Sequence, residues 1–189
     1  AFALDQIHFV PASIPPHKRD RPLTSFAHRY AMVVLASAGV PQFIPSLLEA
    51  SEQNREETNF SIVTVRKLTA LLSPEDQLYF LIGADAFLEI PQWHESAALL
   101  DSCDFIIVSR PGFPIAEIEK AVPSELRTGR ATEKCIPLRR TNLHLLTTVQ
   151  VDVSSSTIRS RAAEGKSLCG LVPDLVGDYI QKLRLFHES

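Results

Sequence analysis

Residues 153 to 161 read VSSSTIRSR, so four successive hydroxyl side chains, Ser154, Ser155, Ser156 and Thr157, stand beside Arg159 and Arg161. A helix start offers unpaired N–H groups and a partial positive charge, and hydroxyls placed there can join them around an anion. Arginine adds a planar fork that meets phosphate oxygens two at a time. Three uses compete for the stretch: a helix cap, a solvated turn, or a pocket for phosphate oxygens. One capping serine would account for one hydroxyl, but not for four beside an arginine.

Other residues invite similar weighing. His17-Lys18-Arg19 follows Pro15-Pro16, which holds the chain extended; the cations there suit a polyphosphate or a plain basic surface loop. Asp85 comes two residues after Gly83, where a ligand can approach the backbone closely, and its carboxylate can accept hydrogen bonds from sugar hydroxyls. Trp93 is the only tryptophan. Its ring can stack on an aromatic ring or a pyridinium, or simply fill the core. Arg110 lies in the run Ser109-Arg110-Pro111-Gly112.

The elements that must position these residues follow from pattern. Short apolar runs at Ile7–Val10, Leu78–Gly83 and Phe105–Val108 predict strands buried on both faces. Ser25 or Thr24 can cap a helix that runs to Gly39, and a second helix is expected from Phe60 to Leu72, stopping before Ser73-Pro74. Pro114–Val122 reads as helix and Leu143–Val153 as strand. A helix ended by Gly165 follows, and then a last one over Asp174–Leu183. The basic stretch Arg127–Arg140 has no apolar period and reads as a solvated loop. Strands alternating with helices predict an α/β fold with a parallel sheet covered on both faces, and in such sheets ligands bind beyond the carboxyl ends of the strands. Lys18, Asp85, Arg110 and Ser154–Arg159 all fall just after predicted strands.

Composition narrows the classes. The 189 residues suffice for one domain that buries roughly 70% of its unfolded surface. A net charge of -3 argues against broad nucleic-acid binding. The three cysteines are widely spaced and form no C-x-x-C pair, which disfavours a disulfide framework or structural zinc and suits a reducing cytoplasm. No run approaches the roughly 18 apolar residues of a membrane span. No G-x-G-x-x-G, G-x-x-x-x-G-K-[ST], H-E-x-x-H or G-x-S-x-G occurs, and the six histidines show no zinc spacing.

PASIPPHK at 11–18, HRYAMVVLA at 28–36, LIGADAFLEIPQWHESAALL at 81–100, SRPGF at 109–113, VSSSTIR at 153–159 and LVPDLVGDYI at 171–180 resemble, in order and spacing, the bacterial nicotinate mononucleotide adenylyltransferases. VSSSTIR is the most specific of these; it is similar to the I-S-S-T-x-I-R signature of the nucleotidyltransferases, with Ser156 in place of threonine. The resemblance implies a Rossmann-like α/β fold and transfer of the adenylyl group of ATP to nicotinate mononucleotide, giving deamido-NAD and pyrophosphate. Mg²⁺ would accompany ATP as substrate, and a homo-oligomer is compatible with it. It implies that Ser154, Ser155, Ser156, Arg159 and Lys18 hold the ATP phosphates and that Gly83 and Asp85 border the nucleotides. Trp93 would stack on the pyridine ring, Arg110 would meet a phosphate, and Ser61 would lie near the nicotinate.

The family's G-x-F-x-P-x-H-x-G-H loop, with its two histidines, has no match in this sequence. The chain opens on Ala1 within a predicted strand, so the resemblance implies one nucleotidyltransferase domain over 1–189 whose first strand, histidine loop and following helix are missing. No catalytic residue is therefore assigned. Two rivals stay open: a related adenylyl- or cytidylyltransferase acting on another phosphorylated substrate such as phosphopantetheine, and a non-catalytic nucleotide-binding module. The expected outcome is little or no transferase turnover for the 189-residue chain beside a chain extended at its N-terminus; comparable turnover of the two would refute it.

Overall fold

The protein is described by a computed structural model over residues 2–13, 23–50, 59–109, 114–147 and 153–187. It divides into two compact units, residues 60–151 and residues 1–59 with 152–189.

The 60–151 unit holds a four-stranded sheet of order β3-β4-β6-β5, with β3 at Tyr79–Gly83, β4 at Asp104–Val108, β5 at Cys135–Pro137 and β6 at Asn142–Leu146. β3, β4 and β6 run parallel, and β5 returns antiparallel to β6. Phe105, Ile106 and Ile107 of β4 are at most 1% exposed, because this inner strand has neighbours at both edges and helices packed over it. The helices are α2 (Ser61–Thr69), α3 (Ala84–Phe87), α4 (Ser96–Leu100) and α5 (Ile115–Ala121). They bury Ile62, Val65, Phe87, Leu99, Leu100 and Ile118 in the same apolar core.

At the start of β4 a polar clamp sets the register. The buried Asp104 carboxylate accepts hydrogen bonds from the Asn142 backbone N–H at 2.8 Å and from Gln77 Nε2 at 3.1 Å, and meets His144 Nε2 at 3.2 Å. A buried carboxylate left without such partners would be costly. The clamp pins the first residue of β4 to β6 where Phe105 pairs with Leu143.

In the other unit, β1 (Ile7–Phe9) and β2 (Phe43–Pro45) pair in parallel on either side of α1 (Phe26–Ser37). Ser25 caps α1, its hydroxyl accepting from the His28 N–H, and Gly39 follows the helix at φ +84°, a conformation that glycine adopts without a Cβ penalty. α6 (Ser155–Ala163) is followed by Gly165 at φ +66°, and α7 is Asp174–Lys182. Ala162, Leu168, Val176 and Ile180 form a small core with Met32 and Leu35 of α1 packed against it. His28 Nδ1 and the Tyr179 hydroxyl join α1 to α7 at 2.9 Å.

Parallel pairing within an α/β fold agrees with the sequence reading, and the predicted helices stand with trimmed ends. Three expectations need correction. Only β4 is buried on both faces: Leu81 of β3 is 53% exposed and Phe9 of β1 is 38% exposed, since outer strands have a neighbour on one side only and shed less surface. Arg127–Arg140 is not one solvated loop. It contains β5, buries Ile136 and Leu138, and ion-pairs Arg139 with Asp101. The strand expected over Leu143–Val153 ends at Leu146, and residues 148–152 lie outside the described residues. No helix among the described residues is long and apolar enough to cross a membrane.

Burial, reinforced by the charge of Asp104, pushes the Cys103 thiol up to about 12, so it stays protonated and unreactive at neutral pH, whereas Cys169 is exposed. Iodoacetamide at pH 8 should therefore label Cys169 and spare Cys103 in the folded protein, as read by peptide mass spectrometry.

Candidate functional site

The hydroxyl run lies at the start of α6. Ser154 is its cap: the hydroxyl accepts from the Thr157 N–H at 3.1 Å and lies 2.8 Å from the Thr157 hydroxyl. Ser156 Oγ accepts from Arg159 Nη2 at 3.3 Å. The cap therefore accounts for Ser154 and Thr157 together. Ser155, Ser156 and Arg159 remain exposed on the first turns of a nine-residue helix. That is a polar, cationic helix start able to meet an anion.

Sequence reasoning passed over Arg29 in the same unit. Its guanidinium donates to the Ala12 and Ser13 carbonyls, the latter at 2.9 Å, and its Nε donates to the Thr24 carbonyl at 3.0 Å. Partial burial lowers its pKa. Arg29 so holds the chain as it leaves β1 and again as it enters α1. An arginine within the apolar helix FAHRYAMVVLAS was the available signal. Lys18 and Arg110, both expected to meet phosphates, and His17 lie outside the described residues.

In the 60–151 unit, Gly83 closes β3 and α3 begins at once, so Asp85 stands exposed in the first turn of α3. A Cβ at Gly83 would meet nothing within 4 Å, so the glycine leaves open space beside the backbone there. Ser61 opens α2 and is partly buried. Trp93 ends a 3-10 turn over Ile90–Gln92, half-buried, with its ring edge-on to Phe80 at 6.3 Å.

The segment 93–95 carries two local costs. Trp93 Nε1 is buried with no hydrogen-bond acceptor among the described residues, and an unmet donor of this kind costs about 1–3 kcal/mol. Glu95, the residue before α4, has φ 49° and ψ 42°, a left-handed conformation costing roughly 1–2 kcal/mol outside glycine. Two contacts oppose them. Arg66 of α2 grips the Glu95 carboxylate with both Nη atoms, at 2.6 and 3.3 Å, and its hydrogen bonds hold that carboxyl below its usual range. The His94 ring lies over Phe60, with centroids 4.2 Å apart. Among the described residues no group of three His, Cys, Asp or Glu side chains could hold a metal ion.

The cytidylyltransferase-like family model matches residues 1–161. The chain belongs to that family. Among its relatives, one from Moorella thermoacetica is 37% identical over 185 residues, covering 98% of this chain and 79% of its own length. Another, from Geobacter metallireducens, is 38% identical over 190 residues, covering 98% of this chain and 86% of its own. Both bear the name probable nicotinate-nucleotide adenylyltransferase, and at this identity and coverage the chain belongs to their branch of the family. A solved structure of the Plasmodium falciparum nicotinic acid mononucleotide adenylyltransferase complexed with NaAD has a TM-score of 0.66 at 20% identity, over 96% of this chain and 82% of that one. The likeness shows a shared nucleotidyltransferase fold of the Rossmann-like kind.

The cap and the remaining hydroxyls separate by substitution. Ser154→Ala should cost about 1 kcal/mol of stability through the lost cap, and Ser155→Ala a few tenths at most, read from urea unfolding. Equal losses would mean that Ser154 is not the cap.

Proposed function

We propose that this protein transfers the adenylyl group of ATP to nicotinate mononucleotide, releasing pyrophosphate and forming deamido-NAD, as a step of NAD synthesis in the cytoplasm. The carrying observation is the 37–38% identity to nicotinate-nucleotide adenylyltransferases over 98% of the chain. The exposed hydroxyl and arginine cluster at the start of α6 supports it from the side of geometry.

The residue roles are those that the family resemblance implies, and each suits the chemistry of its side chain. Ser155, Ser156 and Arg159, with Ser154 as cap and donor, take the phosphates of ATP, and Lys18 adds a point charge. Gly83 and Asp85 border the nucleotides, the carboxylate accepting from ribose hydroxyls. Trp93 stacks on the pyridine ring with Ser61 nearby, and Arg110 meets the mononucleotide phosphate. Mg²⁺ enters as part of the ATP substrate, spreading the charge of its phosphates.

The reaction needs no covalent intermediate on the protein. A mononucleotide phosphate oxygen forms a bond to the α-phosphorus of ATP, the bond to the bridging oxygen breaks in line, and pyrophosphate carries the electron pair away. The protein contributes by alignment and by placing cations where negative charge accumulates. Arg159 serves the second role, because its fork can hold two oxygens of the departing phosphates at once.

Two rivals are tested beside it: a related adenylyltransferase acting on another phosphorylated substrate, and a nucleotide-binding module without turnover. ATP-dependent pyrophosphate release by a chain extended at its N-terminus, measured with nicotinate mononucleotide, its amide analogue and phosphopantetheine in turn, decides between them. Turnover should be highest with the acid, and Arg159→Ala should lower it by about a hundredfold, the scale of one charge-stabilising donor. Faster turnover with phosphopantetheine would refute the substrate. ATP binding without pyrophosphate release from any acceptor would favour the module.

A further inference from the structure

We propose that Arg66 and Glu95 are positioning residues that fix Trp93 in the orientation from which it takes the pyridine ring of the mononucleotide. This rests on the stacking role given to Trp93 above. Trp93, His94 and Glu95 are consecutive, and each is held by a different neighbour: the Trp93 ring by Phe80, the His94 ring by Phe60, and the Glu95 carboxylate by Arg66. Phe60 immediately precedes α2 and Arg66 lies in its last turn, so the two ends of one helix hold His94 and Glu95. Within the segment itself, His94 Nε2 lies 3.3 Å from the Glu95 carboxylate.

The strain shows why a grip is needed. A non-glycine residue stays in the left-handed region only where its surroundings over-determine it. Here the residue under strain sits two positions from a tryptophan whose indole N–H is buried without an acceptor among the described residues. Left to itself, the segment would turn Glu95 back to an ordinary conformation and let the indole swing to water. The Arg66–Glu95 pair is exposed, at 55% and 40%, and such a pair adds little to global stability. Its geometry gives it another use. Two bonds, each from a different Nη to a different carboxylate oxygen and spanning 29 residues of sequence, fix an angle as well as a distance. The constraint falls on the backbone that aims Trp93.

Trp93 is the sole tryptophan, so emission from the whole protein reports this one side chain. The test titrates wild type, Arg66→Met and Glu95→Gln with nicotinate mononucleotide and separately with ATP, following Trp93 emission and, in parallel, calorimetry. Each variant should shift the unliganded emission to longer wavelength. Each should also weaken the mononucleotide about fivefold while leaving ATP within about twofold, in keeping with the scale of an exposed ion pair. The charge-reversed double variant Arg66→Glu with Glu95→Arg should restore most of the affinity.

Unchanged emission and mononucleotide affinity in both single variants would overturn the proposal. So would equal weakening of both ligands together with a lowered Tm, which marks a purely structural pair. Trp93→Ala, read by calorimetry, separates the two layers. If it binds the mononucleotide as wild type does, the stacking role falls and this proposal with it; if it binds weakly while Arg66→Met and Glu95→Gln do not, only the positioning role falls.

Discussion

The clamp on Asp104 is the constraint from which the 60–151 unit hangs. A carboxylate buried at the first residue of an otherwise apolar strand must find donors, and it finds them on β6 and on the chain entering β3. A one-residue slip of β4 would carry that charge away from its donors. With β4 locked, the carboxyl ends of β3 and β4 are placed together, and with them Gly83, Asp85 and Ser109. The precision available to the site thus begins at the opposite ends of the same strands.

The other unit solves a different problem. Its parallel pair is short, three residues a side, and supplies little core of its own. Stability comes instead from α1, α6 and α7, whose apolar faces share one small cluster, with the His28–Tyr179 contact at its edge. The capped start of α6 is therefore carried on helices. Its exposed hydroxyls cost the core nothing, which leaves Ser155 and Ser156 free to serve a ligand rather than the fold.

Much of this was legible from residues. Phe105-Ile106-Ile107-Val108 announced a buried strand by its β-branched run, Ser25 and Gly39 bracketed α1, and the VSSSTIR signature named the family. What stayed hidden depends on partners far away in sequence. β5 is three residues, Cys135–Pro137, inside a basic stretch, and only pairing with β6 makes it a strand. The exposure of Leu81 follows from the outer place of β3, which an apolar run cannot announce. Glu95 looks like any surface acid until Arg66, 29 residues earlier, is seen to hold it. Of the candidate site, the place of Gly83 and Asp85 at the end of β3 and of the hydroxyl run at the start of α6 could be read. The cap role of Ser154 and the tie at Arg29 needed coordinates.

Arg29 ties the chain leaving β1 to the chain entering α1. One guanidinium binds the carbonyls of Ala12 and Ser13 on one side and of Thr24 on the other. The chain is therefore pinned at a neck formed by positions 12, 13 and 24. The entropy of bringing the ends of a segment together is a cost that folding has already met there. Lysine at position 29 would preserve the charge but has a single nitrogen to share among three carbonyls, so the neck would loosen although no contact to any ligand had changed.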